Sequence, residues 1–436
     1  MDDRAFMGGN YAAELQDPSV YRERRRRLAA AVGGGTIVLW GAGDDRGYGD
    51  VGTFRQDSDF FYLTGVELSN AILVLRPAEE WEALFLPARN EALERWTGPR
   101  WGPGDEAARA LGFDNILAVE AGETEIQARR RPVPGFEGRL QGWLSGDDPV
   151  LWTRFPAVDT GSELPFAHRY VARLRDRMPS FRVRDVSGHL ADLRVIKDEG
   201  EVALMRRAIA ATMEAQRAAA RTIAPGVTER AVEGTVLAAF AAAGAEGVAF
   251  PSIVGSGYPS TVLHYDQNAG TMEDGELVVV DIGARYGYYC GDLTRTYPVN
   301  GRFAGRQREI YDLVLEAHDA VAAAIRPGVT LGELREIAFG IIDGSELRDG
   351  EGNSLGRYFI HGIGHFLGLD AHDSGGEGRT LEPGMVITNE PGIYIPAESL
   401  GVRIEDDYLV TEEGAENLSG TLPTRAGDIE AMMAEG

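Results

Sequence analysis

Short apolar runs and amphipathic segments alternate along the first part of the chain. The apolar runs predict strands at 36–40, 71–75, 82–87, near 115–120 and at 150–152. A cap at Asp17 and Pro18 at the first helical position predict a helix at 17–31, and helices are also predicted at 106–112 and near 166–177. Alternating strands and helices are typical of an α/β domain whose sheet is covered by helices. We assign this domain to residues 1–185.

The pattern changes after residue 185, where long Ala-rich amphipathic segments begin. They predict helices at 198–223, 228–243, 305–325 and 331–342. Paired β-rich runs lie at 276–298 and 385–411, so residues 186–436 are predicted to form an α+β domain with helices packed on antiparallel strands. The fragments APGVT (224–228) and RPGVT (326–330) each separate two helices, which suggests an internal duplication.

Charge and cysteine usage exclude several classes of function. The 436 residues include 43 Lys and Arg against 68 Asp and Glu, a net charge of −25. Such a surface repels phosphate backbones and anionic lipid, so we expect neither nucleic-acid nor membrane partners. A single cysteine, Cys290, excludes a disulfide framework and a cysteine-based zinc site. The N-terminus lacks an apolar signal and no apolar run is of membrane-spanning length, so we expect a cytoplasmic protein.

The segment 276–299 contains two β-rich runs that flank Tyr286-Gly287. A hairpin turning there would place Asp281 opposite Asp292 on one face of the sheet. Two facing carboxylates repel each other unless a cation or a proton lies between them. A solvated hairpin edge is the alternative, but two aspartates in register within an apolar hairpin favour a metal.

The segment 361–373 holds three of the seven histidines, with His361 and His365 four residues apart. That spacing resembles the helical H-E-x-x-H zinc motif, but glycine occupies position 362 and two more glycines follow, which argues against a helix. We predict an irregular, glycine-rich strand that carries the histidines into a cleft. A packing role is the alternative for any single histidine, and it is less favoured for three together.

A third polar segment, 386–411, is predicted to form two strands with Glu390 on one and Glu405 on the other. In isolation the acidic run 405–407 would be a solvated turn. Taken with Asp281, Asp292 and His365, the two glutamates complete a set of four carboxylates and one imidazole. Such a set suits two divalent cations, with Mn²⁺, Co²⁺ or Zn²⁺ favoured over softer metals.

The motifs VDIGARYGYYCGDLTRTYPV, HGIGHFLGLDAHD, TNEPGIYI and GVRIEDD together resemble the metal-binding motifs of the pita-bread metallopeptidases. The stretch at 54–75 resembles the N-terminal domain of aminopeptidase P, the Xaa-Pro aminopeptidase family. The resemblance covers most of the chain and is strongest at 250–410 and 54–101. It implies a pita-bread catalytic domain and hydrolysis of the Xaa-Pro bond, with release of the N-terminal residue.

The resemblance also implies roles for individual residues. Two divalent ions, with Mn²⁺ favoured, would be bound by Asp281, Asp292, His365, Glu390 and Glu405. Of these, Asp292 and Glu405 would bridge the two ions, and Glu390 would act as general base toward a bridging hydroxide. The substrate-binding residues would be His264, His361, His372, Tyr394 and Arg403, with His264 and His372 hydrogen-bonding the substrate carbonyl or the oxyanion. The family also implies a homo-oligomer, either a dimer or a tetramer.

Two alternatives stay open at this point. Prolidase would use the same metals but cleave only dipeptides, although the N-terminal stretch favours the aminopeptidase. A non-catalytic pita-bread binding module is a second alternative, disfavoured by the complete ligand set. Methionine aminopeptidase usually lacks the long N-terminal domain, and creatinase has lost the metal ligands, so both fit less well.

Overall fold

The computed structural model describes residues 15–43, 54–126, 129–156, 158–159 and 161–435. Packing divides the chain into two compact units, Met1–Leu193 and Arg194–Gly436. The division falls inside the helix Ser187–Val195, a few residues after the expected boundary at 185. Each unit is described by itself below.

The N-terminal unit contains a six-stranded mixed sheet in the order β4-β3-β2-β1-β7-β8. Its strands are β1 Thr36–Trp40, β2 Ile72–Arg76, β3 Trp81–Leu86, β4 Ile116–Ala118, β7 Val150–Thr153 and β8 Arg182–Asp185, with β5 Gly122–Ile126 and β6 Arg129–Val133 forming a separate hairpin. The helices are Pro18–Val32, Ser58–Thr64, Glu91–Thr97, Asp105–Leu111, Phe136–Trp143, Phe166–Arg177 and Ser187–Val195. The predicted α/β domain is confirmed.

The core of the N-terminal unit lies between one face of this sheet and two helices. Strand residues such as Val38, Val74 and Phe85 are fully buried against the helices Phe136–Trp143 and Phe166–Arg177. Alternate strand positions contribute to this layer because successive side chains of a strand point to opposite faces. Burial of this apolar layer is what holds the unit together.

Arg25 lies on the first helix of the N-terminal unit, within a run of basic residues, yet it is only 1% exposed. Its guanidinium donates to both carboxylate oxygens of Glu82, at 2.8 and 2.9 Å. It also donates to the carbonyls of Leu63 and Gly112, at 3.0 and 2.8 Å. Arg25 therefore joins the first helix to β3, to the helix Ser58–Thr64 and to the C-terminal end of the helix Asp105–Leu111.

The C-terminal unit is built from antiparallel strands and long helices, which confirms the predicted α+β domain. Its helices are Glu199–Thr222, Glu229–Ala242, Arg306–Ala324, Leu331–Gly344 and Ala426–Ala434. Its strands are β9 Gly247–Val248, β10 Ile253–Ser256, β11 Leu277–Ile282, β12 Ala284–Tyr286, β13 Tyr289–Cys290, β14 Leu293–Pro298, β15 Val386–Asn389, β16 Gly392–Ile395, β17 Leu400–Arg403, β18 Asp406–Val410 and β19 Ala415–Asn417. Two sheets, β10-β11-β14 and β15-β18-β19, carry the segments that hold the polar motifs.

The two PGVT fragments have the same local structure. Gly226 and Gly328 both have a positive φ, +86° and +92°, which glycine adopts without strain. The amide of Gly226 donates to the carbonyl of Met272, and that of Gly328 donates to Leu381, at 2.8 and 2.9 Å. In each case the threonine that ends the fragment caps the following helix, and the partner segment leads into a strand, β11 or β15. The two helix–helix connections are thus alike in local structure, which is consistent with the suggested internal duplication.

Within the described part of the chain, none of the helices is both long and apolar enough to cross a membrane.

Candidate metal centre and active site

The first two candidate ligands, Asp281 and Asp292, are carried by the hairpin that β11 and β14 form. Asp281 pairs with Thr294 in the β11–β14 ladder, so the predicted pairing of Asp281 with Asp292 is wrong. The turn lies at Gly287-Tyr288, both with positive φ (+55° and +75°), one residue later than expected. Two-residue hairpin turns of this kind need positive φ at both central positions. Because the register differs by two residues, Asp292 keeps the sheet face of Asp281.

Two glycines allow this hairpin to lie close to its neighbours. A Cβ on Gly283 would overlap the carbonyl of Gly291. A Cβ on Gly291 would lie 2.9 Å from the backbone of Ile209, in the helix Glu199–Thr222. Glycine at both positions therefore places Asp292 deep in the unit, where it is 5% exposed.

His365 lies in an irregular segment beside β15. Residues 361–373, all described by the structure, contain no helix, which confirms the expectation from their glycines. The backbone of His365 pairs with Thr388, whose amide donates to the His365 carbonyl at 2.9 Å. Its Nδ1 lies 3.2 Å from the carbonyl of Phe366, which leaves Nε2 directed at two carboxylates. Nε2 is 3.5 Å from Asp292 Oδ2 and 3.6 Å from Glu390 Oε1.

The two glutamates were predicted to lie within strands, but the structure places both of them at strand ends. Glu390 directly follows β15, and Glu405 lies between β17 and β18. The Glu405 amide donates to the carbonyl of Thr294 at 3.1 Å, and the Thr294 hydroxyl donates to Glu405 Oε2 at 2.6 Å. The backbone of the β11–β14 hairpin thus fixes the position of Glu405.

These side chains meet in one cavity of about 540 Å³. One ligand atom each from Asp292, His365 and Glu405 lies within 4.8 Å of the others, a separation that a metal ion could span. The predicted site residues that line the cavity are Asp281, Asp292, His264, His361, His365, His372, Glu390, Arg403 and Glu405. Tyr394 is fully buried behind this wall and contacts it through hydrogen bonds.

The electrostatics of the cluster favour a bound cation. Burial, with a contribution from the neighbouring Asp281, raises the pKa of Asp292 to about 7. Burial likewise raises the pKa of Glu390 and, by more, that of Glu405. Although burial opposes its charged form, contact with Asp292 raises the pKa of His365 to about 9. Asp292, Glu390 and Glu405 thus hold protons more tightly than exposed carboxylates do, and a cation would take the place of those protons.

The two oxygens of the Asp281 carboxylate show whether the residues of this cavity fit a bound metal ion. Its Oδ2 accepts from Arg403 at 2.7 Å, while its Oδ1 is buried with no hydrogen-bond partner among the described residues. A buried carboxylate oxygen without a partner is costly, and a cation in the cavity would satisfy it. Oxygen donors with one nitrogen match the ligand preferences of Mn²⁺, Co²⁺ and Zn²⁺. The residues present therefore fit a divalent metal centre.

A chain of hydrogen bonds runs from the carboxylate cluster to His361. Arg403 donates to Asp281 and also to the Tyr394 hydroxyl, the latter at 2.8 Å. The Tyr394 oxygen lies 2.9 Å from His361 Nε2, and His361 Nδ1 lies 2.7 Å from the carbonyl of Gly362. Burial and the nearby Arg403 lower the pKa of His361 to about 4, so its ring is neutral. Nδ1 then donates to Gly362, and Tyr394 donates to Nε2.

His264 and His372 lie at the open side of the cavity, and both side chains are exposed. The ring of His372 is centred 4.2 Å from that of His365. Partial burial, together with His365 and His264, lowers the pKa of His372. Apolar side chains complete the lining of the cavity: Phe250, Pro251, Ile253 and Leu263. The cavity therefore combines acidic, basic and apolar walls.

Sequence reasoning missed several residues that support the site. The run 405–407 is not a solvated turn, since all three side chains are at most 2% exposed. Asp406 pairs with Arg295 at 2.7 Å and with His318 at 3.2 Å. Asp407 accepts from the Asp292 amide at 3.1 Å, and burial raises its pKa well above the ordinary value. The two consecutive aspartates after Glu405 were the available signal, but their partners lie far away in sequence.

Comparison with known families gives two matches. Residues 203–412 match metallopeptidase family M24, and residues 21–131 match the aminopeptidase P N-terminal domain. The chain is 34% identical to the Xaa-Pro aminopeptidase of Escherichia coli K12, over 95% of this chain and 97% of that protein. It is 33% identical to human Xaa-Pro aminopeptidase 3, over 88% of this chain and 77% of that protein.

Solved structures agree with the sequence matches. Proline aminopeptidase P II from Yersinia pestis is similar with a TM-score of 0.83 and 31% identity, over 97% of this chain and 100% of that chain. Aminopeptidase P from E. coli with the inhibitor Pro-Leu gives a TM-score of 0.84 and 32% identity, over 97% and 99% of the two chains. A zinc-substituted form of the same E. coli enzyme in complex with product gives 0.83.

Proposed function

The chain belongs to metallopeptidase family M24, with the aminopeptidase P N-terminal domain ahead of its catalytic domain, and we propose that it releases the first residue of peptides with proline in second position. It is a metal-dependent peptidase. The observation that carries the proposal is the cavity shared by the donor atoms of Asp292, His365 and Glu405 and by Asp281, whose buried Oδ1 has no hydrogen-bond partner in the described part of the chain. These donors line the same cavity as three further histidines and an apolar wall.

We propose two divalent ions, with Mn²⁺ favoured, bound by Asp281, Asp292, His365, Glu390 and Glu405. Four carboxylates exceed the charge of one divalent ion, even with Arg403 beside Asp281, which supports a second ion. When bound, the ions would polarise the substrate carbonyl and lower the pKa of a water molecule between them. Their number and identity are open to metal analysis of the purified protein.

Glu390 is the proposed general base. It is partly exposed to the cavity, with its side chain 18% accessible, and its Oε2 lies 3.9 Å from His361. Its carboxylate would accept the proton of the attacking water and pass it to the leaving nitrogen. His264 and His372, at the open side, would donate hydrogen bonds to the scissile carbonyl as negative charge develops on its oxygen.

Proline in second position is consistent with these contacts. A Xaa-Pro bond is a tertiary amide without an N–H, so a site that grips the scissile N–H loses its contact. Here the proposed contacts to the scissile bond involve its carbonyl. His361 and Arg403 would form the wall beside the proline ring, and Tyr394 would support both of them from behind. The neutral ring of His361 suits an uncharged neighbour.

The deciding experiment compares a Xaa-Pro dipeptide with a Xaa-Pro-Xaa tripeptide, using enzyme stripped by chelator and reloaded with Mn²⁺. We expect metal-dependent release of the first residue from the tripeptide. Cleavage of the dipeptide alone would identify a prolidase. Cleavage of neither, with metal confirmed bound, would favour a non-catalytic binding module.

Two further predictions concern the surroundings of the enzyme. A homo-oligomer, dimer or tetramer, is expected from the family resemblance, and sedimentation analysis tests it. A cytoplasmic location also stays a prediction, and fractionation of the source cells tests it.

A further inference from the structure

A second cluster of buried charges lies behind the loop that joins His365 to His372. We propose that Asp373, held by Lys197 and Arg194, is a positioning residue that fixes His372 for its contact with the scissile carbonyl. This inference rests on the proposed function, because it gives His372 a part in turnover.

The cluster contains two cations and two carboxylates, and all of them are almost completely buried except Asp370, whose side chain is 35% exposed. Lys197 Nζ lies 3.2 Å from Asp373 Oδ2, and Arg194 Nη2 contacts Asp373 Oδ1. Arg194 also reaches Asp370 at 2.8 Å. The side chains of Lys197, Asp373 and Arg194 are 1%, 2% and 6% exposed. Buried charges are retained at a high desolvation cost, so removal of one partner has a measurable effect.

The same aspartate closes the loop. Its amide donates to the carbonyl of Phe366 at 2.8 Å, which brings the two ends of the loop together. Gly368 packs directly against the Asp373 carboxylate, and a Cβ there would overlap it. The carbonyl of Gly368 accepts from the Cys290 amide at 2.8 Å, so the loop is also joined to the hairpin that carries Asp292.

The cations that hold Asp373 belong to a rigid part of the unit. The Lys197 amide donates to the carbonyl of Gly384 at 2.9 Å. The next residue, Asp198, caps the helix Glu199–Thr222 with a reciprocal capping box to Glu201. Lys197 is therefore held at the start of a long helix, and its ion pair with Asp373 holds the loop to that helix.

His372 depends on this backbone for its position. Among the described residues its ring makes no hydrogen bond, and its centroid lies 4.2 Å from that of the His365 ring. Asp373 is its covalent neighbour, so any displacement of Asp373 moves the His372 ring relative to the cavity. Errors of about 1 Å in a catalytic contact can reduce turnover by up to about a hundredfold.

Lys197→Met tests the proposal, because Arg194 still neutralises Asp373 and the protein keeps its fold. We expect kcat on a Xaa-Pro-Xaa tripeptide to fall about tenfold at full metal occupancy, with KM changed by less than about twofold. In a His372→Ala background, Lys197→Met should lower kcat further by less than about twofold. Lys197→Arg should restore most of the loss. An equal loss of kcat with and without His372 would overturn the proposal.

Arg306→Met is the matched control. Arg306 forms an ion pair with Glu398 at 3.0 Å and does not line the cavity. The kcat of this variant should equal that of wild type. Hydrogen exchange of the segment 366–375, measured on metal-loaded protein, needs no turnover. We expect faster exchange there in Lys197→Met but not in Arg306→Met. If hydrogen exchange of this segment is unchanged in Lys197→Met, Lys197 does not hold the loop in place, and the proposal is overturned whatever the kinetics show. If wild type cleaves no Xaa-Pro peptide, the proposed function fails, and faster exchange would then still support the anchoring alone.

Discussion

The Arg403 guanidinium lies 2.7 Å from Oδ2 of Asp281, while the other oxygen of the same carboxylate is buried and accepts no hydrogen bond from the residues that the structure describes. The arginine thus orients the carboxylate, satisfies one oxygen and leaves the second for a cation. Its other arm donates to Tyr394, which contacts His361 on the substrate side. One buried arginine therefore connects a proposed metal ligand to the proposed proline wall.

Tyr394→Phe breaks this connection. The change removes the acceptor of Arg403 and the donor to His361, so we expect kcat/KM for the tripeptide to fall about tenfold or more while metal content stays at the wild-type value. Tyr311→Phe is the control, because the Tyr311 hydroxyl donates to the carbonyl of Thr424 and does not line the cavity. Steady-state kinetics and metal analysis of both variants provide the measurement. Equal kinetics for the two variants would contradict the role of the hydrogen-bond chain.

Glu390→Gln should abolish hydrolysis without loss of the fold. The amide keeps the shape of the carboxylate but accepts no proton, so we expect kcat to fall by about 10³-fold or more. Glu398→Gln serves as its control, since Glu398 pairs with Arg306 and should leave kcat unchanged. Near-normal turnover of Glu390→Gln at full metal occupancy would show that another group is the general base.

Metal stabilisation should grow with pH. The pKa of Asp292 is raised to about 7 and that of His365 to about 9, both above their ordinary values. Each group therefore contributes stability to the metal-free protein at low pH, and this is lost as the pH rises through its folded-state pKa. A bound cation replaces those protons and removes the loss. The gain in Tm on adding Mn²⁺ should thus be larger at about pH 8.5 than at about pH 6.

Calorimetry can check the same linkage directly. Binding of Mn²⁺ near neutral pH should release protons, seen as a dependence of the apparent enthalpy on the buffer's ionisation enthalpy. A pH-independent gain in Tm and no proton release would mean that the ligands are already ionised in the metal-free protein.

Arg25→Met should destabilise the N-terminal unit by about 3 kcal/mol, because it leaves the Glu82 carboxylate and two carbonyls without their shared donor. Arg26→Met, at the neighbouring position, removes a guanidinium that is 74% exposed and should change stability by less than about 0.5 kcal/mol. Denaturant unfolding of the two variants separates these outcomes. Similar stabilities would show that the Arg25–Glu82 pair contributes little.

Local signals were sufficient to predict most of the helices. Asp17 with Pro18 predicts the start of the first helix, which is observed at Pro18. The Ala-rich segments predict the long helices Glu199–Thr222 and Arg306–Ala324. Such predictions succeed because a helix is decided by neighbours within one turn. The acidic and histidine residues that line the cavity could also be identified from the sequence, because charged side chains that recur in apolar segments need a partner in the folded protein.

Details that depend on distant partners could not be predicted. The predicted register of the β11–β14 hairpin differs from the observed one by two residues. The turn includes Tyr288, which adopts a positive φ, whereas a prediction from sequence places glycine at such a position. Asp406 and Asp407 are buried by contacts with residues such as Arg295 and His318, more than 80 positions earlier. The charge partners of Asp373 lie more than 170 positions away. Only the folded chain brings these groups together.

The polar segments that follow the two PGVT fragments each provide two of the four proposed carboxylate ligands. Asp281 and Asp292 follow the first fragment, and Glu390 and Glu405 follow the second. A cation held by all four would gain its full binding free energy only when both segments are in place, so metal binding and the docking of the two segments would be thermodynamically linked. Chelation should therefore weaken cohesion across the whole C-terminal unit.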